Sequence, residues 1–134
     1  MNTIRILLST ILAIALGALS GAALLGLPTY FSKECGFLGC DRQWAPYFAM
    51  WGAVFGVVPG GCIGLVVSGL KLDATRGGLV GGGVGLFLVF AFLVKNDFQV
   101  SAPPEVLLIV AAYIPICVII GLTIAFINRR ARLA

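Results

Sequence analysis

The sequence predicts an all-α polytopic membrane protein, a four-transmembrane-helix bundle with both termini cytoplasmic. Three observations carry that prediction. Four apolar runs, at 6–27, 47–70, 78–94 and 106–127, contain no Asp, Glu, Lys or Arg, and a bilayer core needs about 20 apolar residues per helical span. Charged residues make up 10% of the 134-residue chain, against about 25% in a soluble domain, so most of its surface faces something other than water. The small residues Gly52, Gly56, Gly60, Gly64 and Ser68 recur at four-residue spacing in the second run. In water each such glycine destabilises a helix by about 1 kcal/mol relative to alanine. Inside lipid, the missing side chain lets two helix backbones touch.

The first run has the basic flank of a leader, Arg5, and Ala18-Leu19-Ser20 loosely resembles a cleavage site. Its 22 residues exceed the apolar core of a signal peptide, about 7–15 residues. We read it as a true first span. Ala13, Gly17 and Gly21 lie on one register of this span, and Ala18, Ala22 and Gly26 on another.

Residues 28–46 form the outer loop. Trp44, Tyr47 and Trp51 sit where the second span meets the membrane surface, as an aromatic belt does, and Tyr30 and Phe31 flank the end of the first span. The loop also carries Cys35-Gly-Phe-Leu-Gly-Cys40. An outer compartment is oxidising, and Gly36 and Gly39 permit a tight turn, so Cys35 and Cys40 are expected to close a small disulfide ring. Four spans, cytoplasmic termini and a cysteine pair in the first outer loop resemble, in outline, the membrane thiol oxidases that pass electrons to quinone. That resemblance implies a redox-active pair, with Arg42 suited to a quinone carbonyl. The chain departs from the pattern in two ways. The gap between its cysteines is four residues rather than two, and the 95–105 loop has no cysteine, which leaves no second dithiol to reach a substrate protein.

In the second span, residues four apart advance 400° around a helix, so the stripe drifts by about 40° per step and about 160° over its length. One straight partner cannot follow it. Two neighbours are expected, or one at a right-handed crossing of about −40°. The third span repeats the theme with Gly77, Gly81 and Gly85, and the fourth has a weaker register of Cys117, Gly121 and Ala125. Close packing of spans one, two and three within a bundle explains these glycines, and homo-oligomer formation is the functional alternative. A phosphate-cradling loop at 77–85 is excluded by context: no strand precedes it and no Lys-Ser or Lys-Thr follows.

Pro59 interrupts the second span and Pro115 the fourth, at similar depth. The segments 45–65 and 102–122 match at an offset of 57, as a faint parallel repeat. Broken helices in equivalent halves point to a midplane transport site. The alternative function is therefore a small-solute channel or facilitator with a path near Pro59, Gly61, Cys62, Ser68, Tyr113, Pro115 and Cys117. Coupled transport needs an ionisable residue in the membrane, and these spans have none. Kinks that serve packing alone are the simpler explanation.

Orientation follows from the basic residues. One side holds Arg5, Lys71, Arg76, Arg129, Arg130 and Arg132 with Asp73; the other holds Lys33, Arg42 and Lys95 with Glu34, Asp41, Asp97 and Glu105. Six basic residues against three place both termini in the cytoplasm. The pI of about 9.1 then needs no nucleic acid as partner; Arg129, Arg130 and Arg132 anchor the last span at the lipid headgroups. No His is present to act as a general base or metal ligand, and no catalytic residue, metal or cofactor is expected. The chain reads as a single membrane domain, 1–134, in the lipid bilayer of a bacterial inner membrane. The expected role is a non-catalytic packing subunit of a homo-oligomer or a larger membrane complex.

Overall fold

A computed structural model describes residues 2–31, 35–36, 39–95 and 104–133. Among them are four helices, α1 (Asn2–Phe31), α2 (Asp41–Gly69), α3 (Ala74–Lys95) and α4 (Pro104–Leu133). A two-stranded antiparallel ladder, β1 (Cys35–Gly36) and β2 (Gly39–Cys40), lies between α1 and α2. All four helices are long and apolar enough to cross a membrane.

α1, α3 and α4 run past their apolar runs at both ends, and α2 does so at its start. Helix takes up both sides of the 28–46 loop: α1 continues to Phe31 and α2 begins at Asp41. Polarity does not stop a helix. Once nucleated, each added residue gains a hydrogen bond. The apolar runs mark the stretch suited to lipid, and α1, with 30 residues, is about 45 Å long, against a core of about 30 Å.

The expectation of broken helices is corrected in the same way. Pro59 lies inside a continuous α2 and Pro115 inside a continuous α4. Proline deletes one ladder bond, but an unpaired backbone group in lipid costs several kcal/mol. The remaining ladder therefore has every reason to close around it. Several hydroxyl groups in the spans bond within their own helix. Thr10 Oγ1 donates to the Ile6 carbonyl at 2.7 Å, Ser20 Oγ to Leu16 at 2.7 Å, and Thr123 Oγ1 to Ile119 at 2.8 Å.

The helices pair as two antiparallel hairpins. α1 packs along α2 and α3 along α4 over much of their length, while contacts between the hairpins are far sparser. Where the hairpins meet, Ala13, Ile63, Val67, Cys117, Ile120, Ile124 and Ala125 form the buried core. This core lies toward the end that carries the α2–α3 connection. On the other side of it the second hairpin has no buried side chain among the described residues, in α3 beyond Gly85 or in α4 before Cys117.

The α2–α3 connection is tight. Leu72 N–H donates to the Val67 carbonyl at 3.1 Å and Lys71 N–H to Ser68 at 3.4 Å, the paired bonds of a Schellman cap. Leu72 packs on the core that includes Val67, which supplies the hydrophobic contact of that motif. The Asp73 carbonyl then accepts from Gly77 N–H at 2.8 Å and opens α3. The left-handed position that such caps reserve for glycine is held by Lys71, with φ of 52°. An L-residue there is strained by about 1–2 kcal/mol. Lys71→Gly should accordingly raise the thermal midpoint in detergent, by up to about 1 kcal/mol of stability; circular dichroism melting checks it.

Candidate functional site: two glycine seams

The α1–α2 seam is built from backbone meeting backbone. A Cβ added to Gly17 would run into the Gly56 carbonyl oxygen, and one on Gly56 into that of Gly17. Gly21 and Gly52 oppose each other in the same reciprocal way. A Cβ on Gly60 would strike the Ala13 carbonyl oxygen, and one on Gly64 would lie 2.9 Å from Thr10 Cα and 2.8 Å from Ala13 Cβ. Each step of four up α2 is thus matched by a step of three or four down α1. At Gly17, Gly21, Gly52, Gly56 and Gly60 the place of the absent Cβ faces a carbonyl oxygen, toward which the second α-hydrogen points. Contacts of this kind contribute about 0.5–1 kcal/mol each.

The α3–α4 seam repeats the construction. Gly77 and Gly121 oppose each other reciprocally, and a Cβ on Gly81 would collide with the Cys117 carbonyl oxygen. One on Gly85 would lie 2.9 Å from Ile114 Cα. Gly78 and Gly82 meet only the Leu122 and Val118 side chains, and Gly83 has nothing within 4 Å. The expected partnership of span three with spans one and two is corrected: its glycines face α4. The register of Cys117, Gly121 and Ala125, which looked weak because only one member is glycine, supplies the other half of the seam.

The drift of the α2 stripe resolves at Ser68. Gly52 to Gly64 all meet α1, whereas Ser68, buried, accepts a hydrogen bond from Asn128 Nδ2 on α4 at 3.1 Å. The stripe therefore has two neighbours, and it passes from one to the other at the hairpin junction. Sequence reasoning missed Asn128 because the fourth apolar run ends one residue earlier. An amide beside Arg129 looked like part of the polar flank.

The offset of 57 has a structural counterpart. Gly60 and Gly64 of α2 correspond to Cys117 and Gly121 of α4, and both pairs line a hairpin seam.

The residues expected along a solute path do not share one environment. Pro59 and Ser68 are buried and Cys117 is in the core, while Cys62 and Pro115 are exposed. A Cβ on Gly61 would lie 3.6 Å from the Ile14 side chain, and Tyr113 packs on the core. Among the described residues, no buried side-chain nitrogen or oxygen lacks a hydrogen-bond partner.

At the loop end, Cys35 is the direct ladder partner of Cys40, and Gly36 of Gly39. The cysteine side chains, with all of Phe37 and Leu38, lie outside the described residues. Arg42, two positions after the ladder, reaches back to α1: Nη2 donates to the Tyr30 hydroxyl at 2.7 Å, and the guanidinium lies 4.6 Å from the ring centroid. An Arg in this position ties the two ends of the hairpin together. Trp44, Tyr47, Trp51 and Phe55 form a chain of ring contacts with centroids 6.0–6.3 Å apart along an exposed flank of α2.

Comparison with known proteins finds no matching family model, no matching curated protein and no matching solved structure.

Two outcomes test the seams. Gly56→Leu should destabilise the chain by at least the 1–3 kcal/mol typical of overpacking, whereas Gly83→Ala, with open space around it, should be neutral or stabilising by up to about 1 kcal/mol. Thermal unfolding in one detergent compares them directly. Separately, Asn128→Leu should loosen the hairpin junction by about 0.6–2 kcal/mol, read as a lower denaturation midpoint that Ser68→Ala reproduces and the double variant does not deepen.

Proposed function

We propose that this chain is a non-catalytic assembly subunit of a bacterial inner-membrane complex, either with copies of itself or with other membrane subunits. The observation that supports this reading is which surface remains once the seams are closed. Both glycine seams are closed within the chain, so an assembly contact must use other faces. Those faces are extensive. Beyond Gly85 and before Cys117 the second hairpin buries no described side chain, and Leu86, Phe87, Phe90 and Leu108 stand exposed there. The α2 flank bearing Trp44, Trp51 and Phe55 is exposed too.

Both termini are cytoplasmic in this proposal. Arg5, Lys71, Arg76, Arg129, Arg130 and Arg132 share that side, and basic residues are retained there during insertion. Arg130 stacks over the Phe126 ring with its guanidinium 4.6 Å from the centroid, so it can hold the headgroup level while its stem covers an apolar ring.

Extraction in mild detergent followed by native mass spectrometry tests the assembly. A species of fixed stoichiometry above one chain is expected, and it should survive Gly83→Ala. A monomer alone, together with solute flux into liposomes above that of empty vesicles, would replace the assembly reading with the facilitator.

A further inference from the structure

We infer that Cys35 and Cys40 are a redox-modification site whose disulfide locks the loop end of the α1–α2 hairpin. The argument starts from register. The two residues face each other directly in an antiparallel ladder. Directly opposed residues in such a ladder have Cα atoms about 4.5–5.5 Å apart. A disulfide spans Cα separations of about 4.4–6.8 Å, so the register puts the pair within the range the bond requires. Gly36 and Gly39, paired next to them, put no side chain beside the ring.

The location gives the bond a consequence. β2 ends at Cys40 and α2 begins at Asp41, with no intervening linker. Arg42 then joins α2 to Tyr30 near the end of α1. Closing the six-residue ring therefore fixes the start of α2 where it is already fastened to α1. The other cysteines are excluded as partners: Cys62 is well inside α2, and Cys117 is buried in the core.

The chemistry balances with one named co-reactant. Each thiol gives up a proton, the two sulfurs lose two electrons together, and one S–S bond forms. The electrons and protons pass to a disulfide of the thiol-oxidase class, which leaves as a dithiol. Such oxidants work outside the cytoplasm, so the inference rests on the orientation given under Proposed function.

Thiol trapping in intact membranes tests the pairing. Membranes are denatured without reductant in N-ethylmaleimide, then reduced and treated with a heavier maleimide. Light label on Cys62 and Cys117 and heavy label on Cys35 and Cys40 is expected; light label on all four cysteines overturns the pairing. Orientation is read separately, with Cys35→Ser and a membrane-impermeant maleimide. Labelling of Cys40 in right-side-out spheroplasts supports it, and labelling only in inverted vesicles overturns the orientation while leaving the pairing to the first assay. The lock itself is read by melting. Dithiothreitol should lower the wild-type midpoint by a few degrees and leave Cys35→Ser/Cys40→Ser, already lowered by the same shift, unmoved. An equal effect of reductant on both, or on neither, overturns the lock.

Discussion

Close contact between helix backbones is the constraint on which the rest of this structure depends. Lipid tails are as apolar as leucine, so helices in a bilayer gain nothing from burying greasy side chains against one another. What remains is shape, dispersion and the weak polarity of the backbone. At Gly17, Gly21, Gly52 and Gly56 the space a Cβ would fill is taken by a facing carbonyl oxygen. That arrangement tolerates no side chain. Each glycine weakens its own helix, and the seam makes up for it only because the partner helix carries its bare face at the matching height.

The same constraint explains why the molecule is two strong hairpins joined by a weaker junction. Within each hairpin the glycine registers run antiparallel and in step. Between hairpins there is no glycine register to share, and contact falls to branched aliphatic residues, Ile63, Val67, Ile120 and Ile124, with a hydrogen bond from Asn128 to Ser68. A polar contact in an apolar setting specifies a docking register more than it stabilises one. Such bonds in membranes average about 0.6 kcal/mol. The division also limits the proposed assembly contact: the strongly self-complementary surface is used up internally, so that contact has to use the rest of the surface.

Some of the site was legible without coordinates, for a definite reason. A four-residue glycine repeat has no use in a lone helix, so Gly52 to Gly64 announced a partner before any partner was visible. The same logic was too narrow for α4. There Cys117 and Ala125 serve where glycine was sought, because a seam needs one bare wall and the opposite wall can carry small side chains. Asn128 and the Arg42–Tyr30 contact were illegible, since both lie in polar flanks that read as solvated ends.

The amino-acid order alone determined how many helices there are, how long their apolar middles run, and which stripes must be covered. Those properties are local: they depend on transfer into lipid and on helical periodicity. Tertiary structure decided who covers whom. It paired α3 with α4 rather than with α1 or α2 and handed Ser68 from one neighbour to another. It also carried both prolines through unbroken helices. Complementarity belongs to two surfaces at once, and no single stretch of sequence contains it.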